Sequence, residues 1–272
     1  MNKKHKIQIL IEELNFPEGP AVDSKGNIWF VEQKAGNIVC LSKQNILKRY
    51  STNGSPNGIA IDKNDNIWYC DSGNNCISVY YPDTAHFEVK CSHAEGKPLD
   101  KPNDLTFDKN GNVLFTCPGN SRYEPTGYLC VMTDEQVKVV TRQKYFPNGL
   151  AFTSDGKELI IAETYKHRLW KGKWDPNSLE WFNEAPWVEV GGPIGPDGMA
   201  FDQNNNLHVA VFGQQRLKVI SPDGVIIEEI FLPGKNPTNC AFLPEGGLIV
   251  TEAERGELLW IDNKVKGNPL FK

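Results

Sequence analysis

Six positions of the chain carry side chains that could hold a hard cation and act on a carbonyl group. Each directly follows a proline: Glu18, Asn57, Asn103, Asn148, Asp197 and Thr238 come after Pro17, Pro56, Pro102, Pro147, Pro196 and Pro237. The set comprises two carboxylates, three amides and one hydroxyl, with no apolar residue. Oxygen donors of these kinds suit Ca²⁺ or Mg²⁺. Two carboxylates cancel a divalent charge, and amide carbonyls and water complete the shell. The residue after each is Gly19, Gly58, Asp104, Gly149, Gly198 or Asn239, types that fit a tight backbone entry. One Pro-Asn-Gly is an ordinary turn. Six related copies point instead to a shared site, and a turn alone does not explain Glu18, a poor turn residue where Asn is usual.

The elements that must bring these residues together follow from a repeat through the whole chain. The segments start near residues 16, 55, 101, 146, 195 and 236, and the prolines are spaced by 39, 46, 45, 49 and 41 residues. Periods in the forties without 3.6-residue patterning fit β-propeller blades. Each motif is followed by a short alternating segment, a turn such as Asp23–Gly26 and a β-rich run such as Asn27–Glu32. Third strands are expected at 37–42, 76–81, 128–133, 168–173, 216–221 and 257–262, and fourth strands at 46–51, 85–91, 136–141, 187–191 and 225–231. The sixth repeat ends near Asp262, so its fourth strand is expected from Lys6–Glu13, which would fasten the ring and remove its open edges. The expected fold is all-β: one six-bladed propeller domain over 1–272, four antiparallel strands per blade. First strands line the channel, so the six residues converge at one end of it.

Composition narrows the function classes. The chain has 272 residues, 29 basic against 34 acidic, and no basic stripe, so nucleic acid is not expected as a partner. No apolar run approaches the ~20 residues of a helical membrane span, so no membrane is expected either. The start, MNKKHKIQILIEELNF, lacks the apolar stretch and cleavage site of a signal peptide. Seven cysteines without CxxC pairs read as small core residues in a reduced, cytoplasmic protein. The five histidines show no HxH or HxxxH spacing that would suggest zinc.

FPEGP at 16–20, PNDL at 102–105, FPNGLAFTSDGKELIIAET at 146–164 and GPDGMAFD at 195–202 together resemble the senescence-marker-protein (regucalcin)/gluconolactonase family of six-bladed propellers, over roughly Leu14 to Asp262. The resemblance implies one divalent metal ion held by Glu18, Asn148 and Asp197. That ion would be Ca²⁺ first, with Mg²⁺, Mn²⁺, Zn²⁺ or Fe²⁺ as alternatives. It also implies hydrolysis of a lactone, commonly a sugar lactone, in a monomer or weak homo-oligomer acting on a small molecule. Asp197 is then the expected general base, and Asn103 lies near metal or substrate. Asn57 and Thr238 line the channel behind the site, where they bind waters or a second ion.

The departures concern the substrate. Family members often carry Arg where this chain has Lys101, which lacks the planar fork of a guanidinium. The segment Thr116–Glu124 replaces acidic residues that grip sugar hydroxyls, and Arg122 and Tyr123 in it would favour an anionic or aromatic substrate if they face the pocket. Cys117 has no histidine placed by motif to activate it, so it is expected at a strand end and not as a nucleophile. Trp170, Trp174, Trp181 and Trp187 lie in or beside a longer excursion, 173–186, which either packs on the blade or covers a pocket. Glu32, Asp71 and Glu252 follow second strands as rim charges or supports for the site. Two other readings stay open: the same metal site running another reaction, such as elimination, isomerisation or ester hydrolysis, and a non-enzymatic calcium-binding or interaction propeller.

Overall fold

The computed structural model describes residues 5–272, so the first four residues of the expected 1–272 unit lie outside the described residues. Six four-stranded antiparallel sheets follow one another around a channel. The first blade is built from Pro17–Val22, Ile28–Glu32, Asn37–Leu41 and Leu47–Ser51, numbered outward from the channel. The next four repeat this order, from Pro56–Ile61 to His86–Cys91, from Leu105–Phe107 to Val137–Lys144, from Pro147–Phe152 to Glu180–Glu189, and from Gly195–Phe201 to Ile226–Phe231. The sixth has Pro237–Phe242, Leu248–Glu252 and Glu257–Asp262, and its outer strand is Lys6–Ile11, paired antiparallel with Glu257–Asp262. The ring is therefore closed by the N-terminal strand, as expected.

Alternation within each strand sends side chains to both faces of a blade, so the apolar core is divided into six clusters, one per blade interface. The first–second interface holds Trp29, Val31, Ile59, Ile61 and Tyr80; the sixth–first holds Phe30, Val39, Ile249 and Leu258. Channel-facing backbone is stitched between neighbouring blades by threonines. Thr116 Oγ1 donates to the Asn148 carbonyl at 2.9 Å and Thr164 Oγ1 to the Pro196 carbonyl at 2.8 Å. The Thr238 hydroxyl lies 2.8 Å from the Pro17 carbonyl and 2.7 Å from the Thr251 hydroxyl, joining sixth blade to first.

Two local expectations change. The fourth strand of the fourth blade is longer and earlier than 187–191: Arg168–Asp175 and Glu180–Glu189 form one extended hairpin. The tryptophan-rich stretch is thus neither loop nor lid. Trp174 and Trp181 are buried against the third blade, and the Trp174 indole N–H donates to Asp108 at 3.0 Å. The carboxylates after second strands are not rim charges. Glu32, Asp71, Glu163 and Glu252 are buried and accept backbone N–H groups from Asn15, Ser55, Tyr145 and Asn236, in the loops that lead into the inner strands.

Candidate metal and hydrolytic site

The inner strands of the first, second, fourth and sixth blades start at their proline and that of the fifth at Gly195, and just past the proline the pairing with the second strand slips. The register shifts between Glu18 and Ala21, Pro56 and Ile59, Pro147 and Leu150, Pro196 and Met199, and Pro237 and Asn239. A bulge there takes Asn57, Asn148, Asp197 and Thr238 out of the ladder and aims their side chains elsewhere, while Glu18 keeps its pairing with Val31 just before the slip. In the third blade the ladder begins only at Leu105, and Asn103 is tied instead by its backbone N–H to the Thr116 carbonyl at 2.9 Å. The glycines that follow are required by crowding. A Cβ on Gly19 would lie 2.8 Å from the Asn57 carbonyl oxygen, and one on Gly149 would lie 2.7 Å from the Gly198 Cα.

These devices bring Glu18, Asn148 and Asp197 together at the front end of the channel, all buried. Burial pushes the Glu18 carboxyl well above its usual range, and the charges of Asp197 and Asp104 push it further, against the pull of the Gly19 N–H and Thr238. Asp197 is raised by burial and then by Asp104, with a hydrogen bond from Asn148 opposing. The Asn148 amide N–H also reaches Thr164 Oγ1 at 3.2 Å. Asn57 and Thr238 are buried in the same ring. Thr238 spends its hydroxyl on closing sixth blade to first, which accounts for it without a second ion.

The residues expected to touch substrate sit farther out. Asn103 is partly exposed, while Lys101 and Arg122 are exposed at the rim. Lys101 Nζ donates to Asn120 at 2.7 Å, and the Arg122 guanidinium lies 5.8 Å from the Phe146 ring centre and 5.5 Å from that of Tyr165. Tyr123 is 88% exposed. Cys117 is fully buried in the core between second and third blades, out of reach of a substrate.

Sequence reading missed Asp104 and Asn239, both taken as turn residues. They stand in the glycine position on blades three apart, and Asn239 Nδ2 donates to Asp104 Oδ2 at 3.3 Å across the channel. Burial raises the Asp104 carboxyl to about 7, although the Leu105 N–H and Asn239 stabilise its ionised form. The available signal was the break in the Gly19, Gly58, Gly149, Gly198 pattern at opposite blades. Behind this pair the channel widens into a cavity of about 470 Å³ lined by Ile59, Leu150, Met199 and Phe242 and covered by Lys266–Lys272. This cavity lies at the back of the channel, with Asp104 and Asn239 at its inner end and without Glu18, Asn148 or Asp197 in its lining. The front end remains the candidate site, because the paired acids and amides are there.

Among the described residues no three His, Cys, Asp or Glu side chains converge closely enough to hold a metal by themselves. Amides must complete any donor set, and Asn148 and Asn103 are placed at the same end. Three buried acids, of which Asp104 raises Asp197 and both raise Glu18, with no cation among the influences on them, are costly unless an ion enters. The donor chemistry fits a hard divalent ion. No helix is long and apolar enough to cross a membrane among the described residues.

The chain is 29% identical over 290 residues to the diisopropyl-fluorophosphatase of Loligo vulgaris, covering 92% of this chain and 89% of that protein. It is 25% identical to the gluconolactonase of Zymomonas mobilis, over 91% of this chain and 78% of the relative. Its fold is shared with a solved calcium-binding regucalcin of Agrobacterium tumefaciens, with a TM-score of 0.87, 18% identity, and 99% and 98% of the two chains covered. The profile of the SMP-30/Gluconolactonase/LRE-like region matches residues 16–254. With the acidic front site on a six-bladed ring, this match establishes that the chain belongs to the SMP-30/gluconolactonase/LRE-like family.

Proposed function

We propose that the protein is a divalent-metal-dependent hydrolase that opens a lactone ring, with Glu18, Asn148 and Asp197 as metal ligands and Asp197 also as general base. The observation that carries this reading is the buried convergence of Glu18 and Asp197 beside Asn148, with both carboxyls raised by burial and by Asp104, and Glu18 raised further by Asp197. Similarity to a gluconolactonase supports the reaction class. A bound divalent ion would act as a Lewis acid toward the lactone carbonyl and would hold the carboxylates ionised.

The chain's own residues then do the rest. Glu18 and Asn148 keep fixed positions on their bulged strands, and Asn103 orients the lactone at the partly exposed edge of the site. Asp197 takes a proton from the water that attacks the carbonyl carbon. As the ring C–O bond breaks, that proton passes to the departing alkoxide, leaving a hydroxy acid. Hydrogen bonding from Asn148 and the fixed bulge hold the Asp197 carboxylate in one orientation, which lowers the entropic part of the barrier.

The test is a pH-stat assay of lactones on metal-stripped protein resupplied with Ca²⁺, Mg²⁺, Mn²⁺, Zn²⁺ or Fe²⁺. Metal-dependent turnover that is lost in Asp197→Asn supports the proposal. Tight metal binding without turnover of any lactone overturns it. The diisopropyl-fluorophosphatase similarity favours a second reading, hydrolysis at phosphorus by the same site, and a fluorophosphate in the same assay decides between them.

A further inference from the structure

The rim around the candidate site is aromatic on two opposite sides. On one side Phe16 of the first blade and Phe212 of the fifth lie with ring centres 6.4 Å apart. Their blades are separated by the sixth, so the contact spans the front of that blade. Lys34 Nζ sits 4.9 Å from the Phe16 ring. On the other side Phe146 and Tyr165 of the fourth blade meet edge to face at 5.4 Å, with the Arg122 guanidinium over both. All four rings are partly exposed.

Three further facts set these rings apart from ordinary surface aromatics. Phe16 and Phe146 stand two residues before Glu18 and Asn148, so their backbones lead directly into two of the proposed ligands. Both have left-handed φ, 59° and 57°, a conformation that costs a bulky residue on the order of 1–3 kcal/mol and that persists only where the surroundings impose it. Phe212 ends its second strand paired with Gly195, one residue past Val211, which stands opposite Pro196 where four other blades carry the buried acid that clamps the incoming loop. The fifth blade thus has an apolar residue in place of that carboxylate and puts the Phe212 ring just beyond it, beside the mouth.

A polyhydroxylated lactone needs donors and acceptors around its hydroxyls, and a hydrophobic wall gains nothing from them. Apolar rings that are already ordered instead favour a substrate with an apolar body, because they bury its surface with little further loss of side-chain freedom. We infer that the site takes a lactone bearing an aryl or alkyl substituent in preference to a sugar lactone, with Phe16 and Phe212 forming one wall and Phe146 and Tyr165 the other. This rests on the lactonase reading above and adds the substrate class to it.

The experiment compares kcat/KM for γ-phenyl-γ-butyrolactone, unsubstituted γ-butyrolactone and gluconolactone on metal-loaded wild-type protein, Phe212→Ala and Phe146→Ala. It is paired with calorimetric binding of the unreactive lactams 5-phenyl-2-pyrrolidinone and 2-pyrrolidinone. The phenyl lactone should exceed both others by roughly tenfold or more, and each alanine variant should cost the phenyl lactone on the order of tenfold more than it costs γ-butyrolactone. The phenyl lactam should bind at least tenfold more tightly than its parent, and the alanine variants should erase that margin. Preference for gluconolactone, or equal losses on substituted and parent lactones, overturns the inference and leaves the lactonase reading standing. If no lactone is turned over yet the phenyl lactam keeps its Phe212-dependent margin, the hydrolytic reading fails and the apolar walls stand. If the margin is also absent, both fail.

Discussion

The two ends of the channel are built from the same six strands and differ in almost everything else. At the front, the residues after the prolines crowd two acids, three amides and a hydroxyl into a small ring, buried except at Asn103. Four residues further along each strand stand Val22, Ile61, Phe107, Phe152, Phe201 and Phe242, and the back end opens into a mostly apolar cavity. The Asp104–Asn239 bridge separates the two. The back is also covered by the chain itself: the Gln203 N–H donates to the Lys266 carbonyl at 2.8 Å, the Asn268 N–H to the Phe201 carbonyl at 3.0 Å, and the Phe271 ring meets Phe152 edge-on at 6.2 Å. A strand pays little to carry polar groups at one end and apolar groups at the other. The contrast shows that one set of strands can gather acids and amides at one end of a channel and apolar side chains at the other.

The strongest way to break this contrast is at Asp197. Asp197→Asn keeps the shape and removes the base and one charge, so lactone turnover should fall by roughly 10³-fold or more while the circular dichroism spectrum is retained. Retention of more than a tenth of the activity would mean that the front end is not the reactive one. Gly149→Ala comes next. Its Cβ would press on the backbone of Asp197 and Gly198, so kcat/KM should drop about 10- to 100-fold, with a lower melting temperature.

The acids give a pH prediction for metal-stripped protein. Asp104 is raised to about 7 by burial, and Glu18 and Asp197 are raised as well, so folding takes up protons. The stability from these groups is complete below ~4, the ordinary carboxylate range, and is lost as pH rises through about 7 at Asp104. Thermal melts should therefore show Tm falling by several degrees from pH 5 to pH 8 without metal, and Asp104→Asn should flatten that slope. An unchanged slope in the variant would show that the charge at this plug is not what the fold works against. The smallest effect belongs to the back. Ending the chain after Lys264 removes the cover and the Phe271 packing, which should lower Tm by a few degrees and leave kcat/KM within about twofold. A larger loss of activity would show that the two ends are coupled through the Asp104–Asn239 bridge.

Much of this was legible in the residues because a propeller writes itself as a repeat. Four of the six prolines open their inner strands, and the shortfall after Asp262 located the closing strand at the N-terminus. Glu18 was visible as an exception to a plain turn, and Asn148 and Asp197 stood out through the family resemblance. Outer strands fell where expected in the first, second, third and fifth blades, and only that of the fourth blade was misplaced, because Glu180–Glu189 is mostly exposed and its apolar pattern is weak. Lys101 and Arg122, expected at the substrate, are exposed at the rim, where their long side chains settle on Asn120 and on aromatic faces.

The sequence alone determined the period, the identity of the ring residues and the need for small residues after them, because these follow from local backbone geometry repeated six times. Only the tertiary structure decided that Asp104 meets Asn239, 135 positions away, that Phe16 reaches Phe212 past an intervening blade, and that Glu32, Asp71, Glu163 and Glu252 hold loops and not substrate. Contacts across a closed ring depend on blade tilt and channel width. Those are set jointly by six packed interfaces and by no single stretch of chain.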